Sequence, residues 1–252
     1  MMKKPDKTRP VVSLVLPAYN CESYLEASVA EARSFFEDFA IPFEVVCVDD
    51  GSGDGTGRIR FDDPRVSLLR HGYNQGKGAA LKTGMKAATG SVRIFTDADL
   101  PYGTDPMALA VYYVLLKDYH VVIGDRTLRG SRYHEEISPL RRVASQVFSF
   151  FAGRFLTGGF YDTQCGFKAF SGAVADQLFP RLSVKRFACD VEILYMALIN
   201  NLDIKRVPVV LSRNTSSTIR TFRDSGRVLF GVGRMKYLRN KGGYTFTKDF
   251  AV

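Results

Sequence analysis

The stretch "VVSLVLPAYNCESYLEASVAEARSFFEDFAIPFEVVCVDD", residues 11–50, decides the fold. It opens on an almost unbroken apolar run, "VVSLVLP" (11–17), and closes on another, "FEVVCVDD" (43–50). Short β-branched runs of this kind suit strands covered on both faces. Between them Leu25, Val29, Ala32, Phe36 and Phe39 recur at the spacing of one helical face. Strand, helix and strand in that order make a βαβ unit, which implies an α/β, Rossmann-like and mostly parallel sheet flanked by helices.

The pattern continues outward. "RVSLLRH" (65–71), "SVRIFTDAD" (91–99) and "HVVIGDR" (120–126) read as further strands, and "GKGAALKTGMKAATG" (76–90) places Ala80, Met85 and Ala88 on a second helix ended by Gly90. Beyond 127 the regularity falls. "RRVASQVFSFFAGRFLTGGF" (141–160) suits either a buried core helix or a helix lying in a membrane interface, with Phe151 and Phe155 among its apolar residues. A strand-like "DTQCGFKAF" (162–170), the helical "FACDVEILYMALINN" (187–201), the strand "IKRVPVVL" (204–211) and a basic helix from about 221 to 238 complete the chain. The expected organisation is a disordered tail over 1–10, one domain over 11–238 and a C-terminal tail over 239–252. Within the domain, 11–126 is the expected nucleotide-binding half and 127–238 the acceptor-side half.

The 252 residues, 46% hydrophobic and 24% charged, supply ample core. "MMKKPDKTRP" (1–10) lacks the apolar region of a secretory signal, and no run approaches the ~18–20 apolar residues of a membrane span. The expected location is therefore cytoplasmic, peripheral at the cytoplasmic face of a membrane. Cys21, Cys47, Cys165 and Cys189 are scattered with no C-x-x-C pair, so they read as reduced. A net charge of +9 points to an anionic partner, either a phosphate ligand or an acidic lipid surface. Nucleic acid is not expected, since no reader motif accompanies the charge.

In parallel sheets ligands bind beyond the carboxyl ends of the strands. Three unusual stretches fall there: "PAYN" (17–20), "VDDGSGDGT" (48–56) and "DADL" (97–100). If 95–100 stays extended, Asp97 and Asp99 share a face with Cα atoms roughly 6.5–7 Å apart. Two charges ~6 Å apart repel by roughly 3 kcal/mol at an effective dielectric of ~20, so the pair calls for a cation. Mg²⁺ or Mn²⁺ fits, because such ions take few carboxylates and fill their shell with phosphate oxygens and water. "VDDGSGDGT" is either a plain turn or a loop that lets backbone approach a ligand while Asp49 or Asp50 accepts from base or ribose. "NQGKGAAL" (74–81) sets Lys77 at a helix start, where unpaired N–H groups suit phosphate, although a plain loop-to-helix junction also uses glycine.

Together "LPAYNCESYL", "VVCVDDGSGDGT", "NQGKGAALKTGM", "IFTDADL", "VVIGDR" and "DTQCGFKAF" resemble, in order and spacing, the family 2 glycosyltransferases of GT-A fold. Within that family "DTQCGFK" and "FACDVEILY" are similar to dolichyl- and polyprenyl-phosphate glucosyl- and mannosyltransferases. The resemblance implies a hexose moved, with inversion, from a nucleoside diphosphate sugar (UDP- or GDP-linked) to a polyprenyl phosphate, at a membrane surface, with or without a separate membrane protein. It implies that Pro17, Ala18, Tyr19 and Glu22 line the nucleotide pocket, that Asp50 meets base or ribose, and that Gly76, Lys77 and Gly78 border the same pocket. Asp97 with Ala98 would meet the nucleotide, and Asp99, with Asp97, the Mg²⁺ or Mn²⁺. Arg126 and Arg141 or Arg142 would meet phosphate, with Arg213 on the acceptor side. Asp162, Gln164, Asp190 and Glu192 would shape the sugar and acceptor side, with Asp99, Arg126 and Asp190 as the catalytic set. The chain departs from the family where Gly124–Asp125–Arg126 replaces G-S-R and where "TSSTI" (215–219) replaces G-S-K. A glycan or other hydroxyl acceptor would instead require Asp190 or Asp162 as base, and a non-catalytic nucleotide-sugar binding protein would require neither.

Overall fold

A computed structural model of the chain describes residues 10–132, 162, 165–185, 188–211 and 235–247. Seven strands form one sheet: β1 (Val12–Ala18), β2 (Phe43–Asp49), β3 (Val66–Arg70), β4 (Val92–Phe95), β5 (Val121–Asp125), β6 (Lys168–Ser171) and β7 (Ile204–Pro208). Their spatial order is β3-β2-β1-β4-β6-β5-β7. All pairings are parallel except those of β6, which runs antiparallel to both β4 and β5. The helices are α1 (Leu25–Asp38), α2 (Lys77–Ala87), α3 (Asp105–Leu116), α4 (Gly172–Arg181) and α5 (Cys189–Ile199), with a short helical segment at 235–240.

The continuous apolar strands are explained by two cores, one on each face of the sheet. Leu14 and Leu16 of β1 join Val45, Ile94 and Val122 beneath α1 and α3, while Val15, Val46, Phe95 and Phe170 face α2, α4 and α5. Each such side chain taken fully out of water contributes about 1.5–3 kcal/mol. The α1 stripe is as expected through Phe36, but Phe39 is exposed, because the helix ends at Asp38 and Ala40 turns into the left-handed region. Gly90 is not the stop of α2, which ends three residues earlier at Ala87. A Cβ at Gly90 would lie 2.7 Å from the Ser13 backbone nitrogen, so the glycine serves close packing against β1.

Two helices escaped the sequence reading. α3 carries its start signal in Thr104, Asp105 and Pro106, yet it lacks a polar face and its periodicity is blurred. α4 begins directly at the end of β6, capped by Ser171, whose Oγ accepts from Val174 N at 3.4 Å. The helix expected over 141–160 and residues 221–234 of the final basic helix lie outside the described residues. All four cysteines are buried and free.

The topology fixes where a ligand can sit. The chain runs from β1 outward to β3, then returns to the other side of β1 as β4, so a crevice opens beyond the carboxyl ends of β1 and β4. Antiparallel β6 starts at that same edge, with Lys168 opposite Phe95.

Candidate active site

The turn after β4 departs from the expected geometry. The strand stops at Phe95, and Leu100 N–H closes onto the Asp97 carbonyl at 3.0 Å, with Leu100 at φ +46°. Asp97 and Asp99 therefore share a turn, and Ala98 between them is buried in the core. The cation beside Asp97 is Lys77: its Nζ lies 2.7 Å from Asp97 Oδ1 and 3.7 Å from Asp190 Oδ2. Lys168 Nζ, 1% exposed, completes the group at 2.6 Å from Asp190 Oδ1 and 2.9 Å from the Cys165 carbonyl. Two ammonium groups and two carboxylates thus alternate across α2, β6, α5 and the β4 turn.

The protonation of this cluster follows from its charges. Burial pushes the Asp190 carboxyl up, but Lys168 and Lys77 outweigh it and hold the group below the usual carboxylate range. Burial pulls the Lys77 ammonium down, and Asp190 and then Asp97 reverse that and raise it. Neither Lys168 nor Gly166 figured in the sequence reading. A lysine inside an apolar strand was the available signal, since buried lysine requires a counter-ion. A Cβ at Gly166 would stand 2.2 Å from Asp97 Oδ2, so only glycine leaves room for that carboxylate. The preceding part of "DTQCGFK" brings Asp162 to Arg126, whose Nε and Nη2 donate to the two Asp162 oxygens at 2.9 and 2.6 Å. Burial disfavours the Arg126 charge, but the Asp162 bonds exceed it and keep the guanidinium protonated. Asp125, the carboxylate that departs from the family pattern, is turned away: it accepts from Thr127 and pairs with Arg206 Nη1 at 3.1 Å.

The nucleotide-side loops are stitched to one another. Asp50 accepts from Gly76 N at 2.6 Å, Gln75 N at 3.0 Å and faces His71 Nδ1 at 2.7 Å, so it is a buried clamp on the α2 approach with little carboxylate left for base or ribose. Glu22 accepts from Gly55 N at 2.7 Å, Asn20 Oδ1 accepts from Gly53 N at 3.0 Å, and Asn20 N donates to Ser52 Oγ at 2.8 Å. Gly51, at φ +70°, lies against the Tyr73 backbone, and a Cβ at Gly55 would strike Glu22, whereas Gly53 faces open space. Of the motif's three glycines, Gly51 and Gly55 thus admit neighbouring segments of the chain. Pro17 and Ala18 lie within β1, and Tyr19 stands half-exposed just past its end.

The start of α2 is likewise already engaged. Gly78 N and Ala79 N donate to the Lys185 carbonyl at 2.9 and 3.3 Å, so those N–H groups are not the phosphate cradle the sequence suggested. Gly78 is required by that approach, since its Cβ would meet the Val184 carbonyl oxygen at 2.2 Å. Glu192, expected on the acceptor side, is fully buried and accepts from Ser183, Val184 N and the Tyr244 hydroxyl. Arg141, Arg142, Gln164 and Arg213 lie outside the described residues.

The chain matches glycosyl transferase family 2 over residues 13–179, well over half its length. The chain belongs to glycosyl transferase family 2. Among relatives of this family 2 glycosyltransferase, a Drosophila melanogaster dolichyl-phosphate beta-glucosyltransferase is 32% identical over 88% of this chain and 74% of that protein. A Dictyostelium discoideum protein of the same description is 29% identical over 90% of this chain and 74% of its own. The Mycobacterium tuberculosis glucosyl-3-phosphoglycerate synthase, solved with Mn²⁺, UDP and glucosyl-3-phosphoglycerate, superposes at TM-score 0.65 and 19% identity, covering 90% of this chain and 80% of that one. The GT-A fold expected from the sequence is thereby shown. Among the described residues of the transferase, no helix is long and apolar enough to cross a membrane, and no group of three or more His, Cys, Asp or Glu is arranged to hold a metal ion.

Proposed function

We propose that the enzyme transfers glucose from UDP-glucose to a polyprenyl phosphate, with inversion at the anomeric carbon. The observation that carries this reading is the state of the two carboxylates a hydroxyl acceptor would need. Asp190 is ion-paired to Lys168 and Lys77, and Asp162 is held by both nitrogens of a bidentate Arg126 contact. A carboxylate kept ionised by two cations is a poor proton acceptor. A phosphate monoester has a second pKa of about 6 and is anionic near neutral pH, so it attacks without losing a proton. The sugar and acceptor follow from the relatives' descriptions, and the nucleotide from the UDP-bound neighbour.

In this mechanism the acceptor oxygen forms its bond to the anomeric carbon as the bond from that carbon to the UDP oxygen breaks, and UDP leaves with the electron pair. No proton has to move. Asp97 and Asp99 would hold the divalent cation: both are hard oxygen donors on one turn, and the absence of a side chain at Gly166 leaves the Asp97 carboxylate its room. That cation supplies Lewis-acid stabilisation of the leaving diphosphate. Arg126, fixed by Asp162, offers positive charge beside the same edge, and Tyr19 offers a flat apolar face for the base. Residues 11–126 act as the donor half and 127–238 as the acceptor half, docked peripherally on an anionic membrane surface that suits a net charge of +9.

The test is transfer of radiolabelled glucose from UDP-glucose to a short-chain polyprenyl phosphate, scored by partition into organic solvent, with GDP-mannose and UDP-N-acetylglucosamine as competitors. The reading expects label in the organic phase from UDP-glucose, lost in Asp99→Ala. A donor that binds while no label partitions would refute the acceptor assignment.

A further inference from the structure

We infer that the notch between the start of α3 and the end of β7 receives the first isoprene unit of the acceptor lipid, and that one stripe of α3 carries the chain that follows. This rests on the functional reading above, in which a polyprenyl phosphate is the acceptor. The notch measures about 200 Å³ and is lined by Tyr102, Pro106, Leu109, Gly130, Pro208 and Val210. Asp105 also lines it, but that residue is exposed and its carboxylate keeps its water. A cavity of ~150 Å³ with apolar walls takes a benzene-sized molecule, so a branched five-carbon unit fits here. The Tyr102 hydroxyl is engaged by Cys165, and the other buried or half-buried side chains of the lining are hydrocarbon. A sugar or a base would give up its water there for little in return.

The notch is placed for this occupant. One wall is the segment 126–132, which leaves β5 with Arg126, the cation assigned above to the reacting edge. That wall is built in advance: Ser131 Oγ donates to the Asp125 carbonyl at 2.7 Å and accepts from Val209 N at 3.1 Å, and Leu211 N donates to the Arg132 carbonyl at 2.8 Å. Arg129 and Arg132 stand exposed on the same segment, a charge that suits the phosphate end of the lipid. The composition of α3 fits as well. A surface helix normally carries a polar face, yet α3 has no charge after Asp105. Leu109, Tyr112 and Leu116, at i, i+3 and i+7, run along one face from the notch, with Tyr112 41% and Leu116 68% exposed. A hydrocarbon chain leaving the notch along that line covers them.

The experiment compares methyl phosphate and 3-methylbutyl phosphate as acceptors of glucose from UDP-glucose in detergent-free solution, beside a long-chain polyprenyl phosphate in vesicles of neutral phospholipid. Each buried methylene is worth about fourfold, so the wild type should prefer the five-carbon phosphate by about thirtyfold or more in kcat/KM. Val210→Glu, which sets a charge at the half-exposed mouth, and Leu109→Gln should each cut that ratio about tenfold, while Val210→Ile should keep it within about threefold. The ratio compares two acceptors on one protein, so a partly unfolded preparation leaves it unmoved. An unmoved ratio in both polar variants, equal use of the two short phosphates by the wild type, or transfer to the long chain but to neither short one would overturn the inference and leave the functional reading standing. Polar variants that weaken transfer in vesicles alone would overturn it too, making this face a bilayer contact. No transfer by the wild type to any of the three phosphates would overturn both.

Discussion

Gly166 and Gly78 are both crowded, and the difference in what crowds them separates function from stability. At Gly166 an added Cβ meets the Asp97 carboxylate, the far end of a side chain that can rotate away. Gly166→Ala should therefore melt within about 2 °C of wild type, near the small effect of a tolerated substitution. Its transfer rate should fall by about tenfold or more, because the displaced carboxylate no longer faces the donor. At Gly78 the Cβ meets the Val184 carbonyl, main chain drawn close by the bonds from Gly78 N and Ala79 N to the neighbouring Lys185 carbonyl. Gly78→Ala should cost about 2–4 kcal/mol of stability, read as a lower urea midpoint. Equal thermal loss in both variants would contradict the distinction. At this scale the sequence was partly legible: a D-x-D at a strand end announced itself, but Asp50 and Glu192 looked like ligand groups and turned out to be internal clamps. A carboxylate's preference for N–H donors is the same whether the donor is a nucleobase or a neighbouring loop.

At the scale of elements, α1 is tied to the entry of β3 by charge as well as by packing. Asp63 sits between Arg33, at 2.9 Å, and Arg65, whose Nε and Nη2 donate to it at 3.0 and 2.7 Å, and Arg65 reaches on to Glu37. The Arg65 hydrogen bonds hold the Asp63 carboxyl at about 2, below its ordinary 3.8. A depressed folded pKa gives stability that is present above the unfolded value and is lost as pH falls through the folded one. The wild type should therefore lose this contribution between about pH 4 and pH 2, and Asp63→Asn should not show that part of the acid slope. Urea midpoints measured from pH 6 downward check it, and parallel slopes in the two proteins would contradict it. The strands were legible as short apolar runs, α1 and α2 by their helical apolar spacing, and α5 as an apolar run of helical length. α3 and α4 were not, one being apolar on most sides and the other beginning where β6 ends, so that Ser171 closes the strand and caps the helix at once.

Across the whole molecule, the crevice is made by topology. Return of the chain from β3 to β4 across β1, and entry of antiparallel β6 at the same edge, bring Lys77, Asp97, Lys168 and Asp190 together from widely separated parts of the sequence. The order of the motifs could be read without a structure, and it pointed to the family that the chain belongs to. The pairing of Lys168 with Asp190 could not, because it joins β6 to the start of α5 through space. That pairing turns an aspartate expected among the catalytic residues into a buried counter-ion, and it is what favours an anionic acceptor. The decisive measurement gives the enzyme UDP-glucose and, side by side, a polyprenyl phosphate and the corresponding polyprenol. Label on the phosphate, with none on the alcohol, is the predicted result. Transfer to the alcohol would contradict it.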